Sequence, residues 1–170
     1  MRQLHADNIQ SVLREIRASF NNVPDVLNAL RRLREENAAY KKQAEEDEAK
    51  RAAHLAGSLA EGAEMRGGIR VVVYTEAKRS PVLVRTIAGI MQKAEKNLAF
   101  VAAFQFEGKP NLILMYTPDL VAAGRNAGVD IRDAAKCIQG GGGGQPGLAM
   151  AGGKDASGLA EAMKLMLGKI

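Results

Sequence analysis

Apolar and polar positions alternate with two different periods along this chain, and the change of period divides it. From residue 7 to 20, Ile9, Val12, Leu13, Ile16 and Phe20 recur at i, i+3, i+4 and i+7, with Asp7 as an N-cap, which predicts an amphipathic helix. Asn21-Asn22-Val23-Pro24 interrupts it, because Asn favours turns and Pro cannot continue a helix interior. A second, long helix is predicted from about Pro24 to Glu64. Its first half carries Val26, Leu30, Leu33, Asn37, Tyr40 and Ala44 at spacings of 4-3-4-3-4, a stripe that stops at Asp47. With Leu30, Asn37 and Ala44 at a positions, the Asn would fix the register of a coiled-coil dimer at some cost in stability. Under three heptads are covered, so a hairpin of the two helices is the equal alternative. Lys41–Arg51 reads as a solvated face of mixed charge. Beyond it Ala52, Ala53, Ala56, Ala60 and Ala63 allow another helix to approach closely.

Gly67-Gly68 closes the helical part and marks the boundary between residues 1–66 and 67–170. The period then shortens. Ile69–Thr75 is β-branched and nearly continuous, as a strand buried on both faces would be. Ser80-Pro81 caps and opens a helix whose inner face is Leu83, Val84, Ile87, Ile90, Met91 and Ala94. Phe100–Phe106 and Asn111–Tyr116 predict two strands joined by Glu107-Gly108-Lys109-Pro110. A short helix follows Pro118-Asp119, Asp130 caps a helix over Ile131–Ile138, and Asp155 or Ser157 opens the last helix. The predicted class is α/β (α+β): a long helical hairpin or coiled-coil arm, then a small glycine-rich globular domain with a mixed sheet.

Charge separates the same two parts. Residues 1–66 hold 11 basic and 11 acidic side chains, whereas residues 67–170 hold 13 basic and 8 acidic, which is the whole net charge of +5. A basic globule beside a neutral arm suggests a polyanionic partner. The single cysteine, Cys137, fits a reducing cytoplasm and a small buried hydrophobe. His5 and His54 lie in the helical part, remote from Cys137, so neither a Cys–His nucleophile nor a zinc site is expected. No apolar run is long enough for a membrane span and no export signal is read at the N-terminus.

Five consecutive glycines, Gly140, Gly141, Gly142, Gly143 and Gly144, precede Gln145-Pro146-Gly147. A loop of this kind frees successive N–H groups to cradle a phosphate, or lets another backbone approach. It is not a P-loop, since Gln145-Pro146 stands where Lys-Ser/Thr is needed. Nor is it a dinucleotide fingerprint, because it follows a predicted helix and contains Pro146.

Lys136-Cys137-Ile138-Gln139, the glycine run, Gln145-Pro146 and Ala149-x-Ala151-Gly152-Gly153 together resemble the glycine-rich signature of the C-terminal (C-Ala, DHH-associated) domain of bacterial alanyl-tRNA synthetases. The order of helices and strands upstream is similar too, so the likeness covers nearly the whole chain. The resemblance implies a helical part for dimerisation and a globular part that contacts the outer corner of tRNA, coupling aminoacylation to editing. It implies no catalysis, metal or cofactor in this region, and no DNA or membrane partner. On that basis Lys78, Arg79, Arg85, Arg125, Lys136 and Lys154, with Gly140–Gly144 and Gln145, are the expected RNA-binding set. Leu30, Leu33, Asn37 and Tyr40 are the expected dimerisation set. Two alternatives stay open: an oligomerisation module whose charge is incidental, and a remnant of a DHH phosphoesterase. The glycine run itself could touch RNA, or could pack on the sheet with Ala149 and Ala151 buried as a final edge strand.

Overall fold

The computed structural model describes residues 10–12, 14–16, 18–19, 26–76 and 79–170, with the side chain of Val26 left out. Two compact units result, residues 1–48 and 49–170. Asp7, Ile9, Leu13 and Phe20 of the first predicted helix, and the 21–25 break, lie outside the described residues; 10–12, 14–16, 18 and 19 are helical.

Helix α1 runs Val26–Glu61. Within the first unit its surface is polar and exposed, with Lys42 paired to Glu46 at 3.9 Å and the Gln43 amide donating to Asp47. Leu27, Leu30, Leu33 and Tyr40 are exposed there as well. In the second unit, Ala52, Ala56 and Ala60 are buried in a core with Val72, Tyr74, Phe100 and Phe104. The alanine stripe therefore seats the helix end on a sheet, where the sequence suggested another helix. Arg70 fixes that seat: its guanidinium donates to Ala60 O at 2.7 Å and to Glu95 at 2.8 Å. A cation on the last carbonyls of a helix also suits the negative end of its dipole.

The second unit is a six-stranded sheet between helices. Strands β1 (Glu64–Arg66), β2 (Ile69–Tyr74), β3 (Leu98–Phe106), β4 (Lys109–Tyr116), β5 (Gly141–Gln145) and β6 (Leu148–Gly152) lie in the order β1-β2-β3-β4-β6-β5. Only β2 and β3 are parallel, joined through helix α2 (Pro81–Ala94). Helices α3 (Pro118–Ala122), α4 (Ala127–Cys137) and α5 (Leu159–Leu167) follow, α5 after a 3₁₀ turn at Ala156–Gly158. One face of the sheet packs on α2 and the end of α1. The opposite face, with Val71, Val101, Leu112, Leu114 and Tyr116, packs on α4 and α5. Strands β3 and β4 are covered on both sides, so they read as continuous apolar runs.

Several local expectations change. Gly67-Gly68 does not simply end the arm; both take positive φ and turn β1 back onto β2. A three-residue strand, fully exposed, leaves no apolar signature to read. Helix α4 starts at Ala127, not Ile131, because the Asn126 side chain caps it by accepting from Val129 N at 3.2 Å. Asp130, inside the helix, accepts instead from the hydroxyl of fully buried Tyr116 at 2.9 Å. Burial, then this bond, pushes the Tyr116 phenol well above its ordinary range. Val73 of β2 is exposed, so that strand is not buried on both faces throughout.

Because Ala56 is buried against a packed sheet, Ala56→Leu should overfill the seat and destabilise the second unit by about 1–3 kcal/mol. A lower urea midpoint with unchanged m is the expected reading; an unaltered midpoint would mean the alanines make no tight contact.

Candidate nucleic-acid interface

The glycine run is a strand, not a loop. Gly141–Gln145 forms β5, the outermost strand, and pairs antiparallel with β6 from Gly141↔Gly152 to Gln145↔Leu148. Ala149 and Ala151 are buried, but in β6, which is second from the edge.

Successive residues of a strand point to opposite faces, and the glycines divide accordingly. A Cβ on Gly142 would meet the Ala151 methyl and lie 2.9 Å from Met150 O; on Gly144 it would lie 2.6 Å from Ala149 Cα. Helix α4 comes just as close from its side, since a Cβ on Gly128 would sit 2.6 Å from Gly144 O. Gly141 and Gly143 face the other way, where an added Cβ would meet nothing within 4 Å. Gly140, Gly142 and Gly144 thus have no room for a side chain, whereas Gly141 and Gly143 are bare, open main chain.

Both ends of the hairpin are tied. At the turn, Ala127 N donates to Pro146 O at 2.9 Å, and Tyr116 N to Gly147 O at 3.0 Å. The amide of Gln92, on α2, donates to Gly147 O at 2.8 Å and Tyr116 O at 3.1 Å. At the other end, Gly140 N donates to Ala135 O, Gly153 N to Pro110 O and Lys154 N to Ile138 O. Gln139 ends α4 with φ 49°, a conformation costly for a non-glycine residue, and its amide is held by Asp155 at 3.1 Å. The Asp155 carboxyl lies below its usual range, chiefly because the Ser157 side chain donates to it.

Strand register places the predicted cations. Tyr74, Ala102, Ile113, Met150 and Gly143 form one row across the sheet. The segment after β2, the β3–β4 turn, the end of α4 and the start of β5 therefore share one rim. Arg79, Lys109, Lys136 and Lys154 belong to it, and Arg85 lies just beyond on α2. Lys109 was missed because it reads as part of a turn. β2 and β5 are four strand positions apart, so the rim spans roughly 19 Å. It is not a uniform positive field: Arg79 is paired with Glu76 at 2.7 Å, and Lys136 with Asp133 at 2.9 Å. The hydrogen bond from Lys136 holds the Asp133 carboxyl below its usual range. Arg85 and Lys154 are exposed and take part in no ion pair among the described residues. Lys78 lies outside the described residues. Arg125 stands apart from this rim, its guanidinium donating to Lys169 O and, at 2.8 Å, to Ile170 O. Cys137 is half-buried beside the core, its thiol directed at Asp133 O. Among the described residues, no group of three His, Cys, Asp or Glu could hold a metal ion, and no helix is long and apolar enough to cross a membrane.

Mixed sheet, covering helices and a tied glycine edge define a small α/β domain carrying a long helix ahead of it. The chain belongs to the DHHA1 domain family, whose profile matches residues 68–170. It is 39% identical over 161 residues to an alanine–tRNA ligase of Bacteroides thetaiotaomicron, covering 95% of this chain and 18% of the relative. An alanine–tRNA ligase of Cytophaga hutchinsonii is 37% identical over 158 residues, covering 92% of this chain and 18% of that protein. The crystal structure of the C-Ala domain from Aquifex aeolicus alanyl-tRNA synthetase superposes with a TM-score of 0.56 at 26% identity, covering 62% of this chain and 95% of that one. The chain therefore spans under a fifth of the length of these curated relatives, and the helix-plus-mixed-sheet architecture matches the C-Ala domain.

The alternation of the glycines is directly testable. Gly142→Ala should lower stability by about 1–3 kcal/mol, as overpacking does. Gly143→Ala, in open space and without a positive φ, should leave stability unchanged or raise it by about 0.4–1 kcal/mol. Equal melting temperatures for the two variants would remove the distinction between the faces.

Proposed function

We propose that this chain is the tRNA-binding C-terminal module of an alanine–tRNA ligase. The observation that carries the reading is the match to the C-Ala fold together with 39% identity to an alanine–tRNA ligase over nearly the whole chain. In this reading residues 67–170 bind the outer corner of tRNA and residues 1–66 form a dimerisation arm. Together they help bring aminoacylation and editing onto one tRNA, and the module carries no catalysis of its own.

Folded RNA is recognised by shape, phosphates and 2′-hydroxyls more than by base edges. A rim of cations at Arg79, Lys109, Lys136 and Lys154, with Arg85 just beyond it and Lys78 added from the sequence alone, suits that target, as does the bare main chain of Gly140–Gly144 with the polar side chain of Gln145 at its end. A broad aromatic stacking platform does not suit this domain, because Tyr74, Phe100, Phe104 and Tyr116 are buried and Phe106 alone among its aromatics is partly exposed. Arg125 serves the anchoring of residues 169 and 170 more directly than it serves RNA. Leu30, Leu33 and Tyr40 are 38%, 53% and 75% exposed, more apolar surface than a solitary helix gains from showing to water. Pairing with a second copy, in register through Asn37, would cover them.

Titration of the chain with tRNA against salt tests the RNA half. The triple charge reversal Lys78→Glu, Arg79→Glu, Arg85→Glu should weaken binding at least about tenfold and flatten the log–log salt slope by up to about 2.7. Wild-type protein that ignores tRNA at low ionic strength would overturn the RNA reading and favour the oligomerisation module, to which the exposed stripe points. Sedimentation tests the arm: a dimer should form, and Asn37→Leu should raise its stability while admitting other oligomer sizes. A chain that stays monomeric at all concentrations would defeat the arm's role.

A further inference from the structure

The amide of Gln92 occupies a special place between the two helical layers. It projects from α2, on one face of the sheet, and meets the carbonyls of Tyr116 and Gly147 at 3.1 and 2.8 Å. Both partners are acceptors, so only the NH₂ end of the amide can satisfy them, and one nitrogen donates both to the end of β4 and to the β5–β6 turn. Gly147 O already accepts from Tyr116 N at 3.0 Å; the Gln92 amide completes its second lone pair. A Cβ on Gly147 would meet the Gln92 nitrogen, so a side chain there would push the amide out of its seat. Asparagine in its place would be one methylene short. From the other layer, Ala127 N holds Pro146 O at 2.9 Å. The two-residue turn that joins β5 to β6 is thus gripped from α2 and from α4.

We propose that Gln92 is a positioning residue for the interface: by clamping Pro146-Gly147 it holds β5 flat, so that the open side of Gly141 and Gly143 is presented in one conformation to the RNA. Clamping is needed because glycine loses more conformational freedom on ordering than any other residue, and β5 is an edge strand with a neighbour on one side only. Without the clamp, the ordering cost of the run falls on RNA binding, and affinity drops with no cation removed. This inference rests on the tRNA-binding reading above for its ligand, but its first step, the order of the hairpin, does not.

The full chain carrying Gln92→Ala is compared with wild type by peptide-level hydrogen exchange and by binding of unfractionated tRNA across a salt series. Exchange over residues 140–148 should accelerate at least about fivefold while peptides of β3 and β4 keep their protection. The tRNA affinity should fall about three- to tenfold, the scale of lost hydrogen bonds, at an unchanged salt slope. A variant that merely unfolds loses protection everywhere. In that event Gly147→Ala, which displaces the same amide from the opposite side, provides the measurement, and the double variant should be no worse than either single one. Unchanged exchange in the hairpin overturns the clamp. Faster exchange with wild-type affinity overturns its role in binding and leaves the tRNA reading standing. Wild-type protein that binds no tRNA overturns that reading and this role together, while the exchange result still decides whether the clamp exists.

Discussion

The face of β5 that looks toward α4 has no room for a methyl group, and much of the second unit follows from that fact. Gly128 on the helix and Gly144 on the strand bring two backbones together at a distance that side chains would forbid. Close approach puts α4 over β5 and β6 as a lid, with Ile131, Ala134 and Ala135 closing the core shared by Leu112, Leu114 and Ala149. It also brings Asp130 to the buried Tyr116 hydroxyl, so that a polar group in the interior is satisfied. The start of α4 and the hairpin turn then share a hydrogen bond through Ala127 and Pro146. A floppy run of five glycines would be entropically expensive; a strand packed on one face and tied at both ends removes most of that penalty.

The long-period and short-period halves of the chain, the Ser80-Pro81 helix start and the β3–β4 hairpin were all legible, because each rests on a local rule. Ser80 does accept from Leu83 N at 3.2 Å, and Glu107 and Gly108 do take positive φ at the hairpin turn. What was not legible depends on distant partners. Glycine has low strand propensity, so nothing local marks Gly141–Gln145 as a strand; β6 and α4 impose it. The alanines of α1 announced a close approach but could not name a sheet as the partner. Asp130 looked like a cap, whereas Asn126, four residues earlier, has the geometry for it. Gln92 sits in an amphipathic helix as an ordinary polar residue, and its two carbonyl partners lie 24 and 55 positions away.

Of the candidate interface, residue types were legible and their grouping was not. Net charge located the cations in the second half, but register alone puts Arg79, Lys109, Lys136 and Lys154 on one rim and leaves Arg125 elsewhere. Ion pairing then changes their weight. The Arg79–Glu76 and Lys136–Asp133 pairs are exposed, of the kind that contribute little to stability, and a phosphate can exchange for the carboxylate at small cost. Such a rim attracts polyanions over distance without holding any one of them tightly, in keeping with the tRNA-binding role proposed above.

Exposed cations supply attraction, but attraction along a rim of roughly 19 Å does not fix orientation. Orientation requires an ordered surface, and β5, paired to β6 and tied at both ends, presents one in an unusual form: carbonyls and amides with almost no side chain to shield them. Its even-numbered glycines are held by α4 and β6, and its odd-numbered ones are free to be touched. Side chains on the open face would add contacts but would also set a minimum distance to any approaching backbone. Of the two expectations for the glycine run, packing is seen on one face, and contact with RNA at the other face is the proposal made above. Packing makes the strand rigid, and only a rigid strand can afford to leave its other face bare.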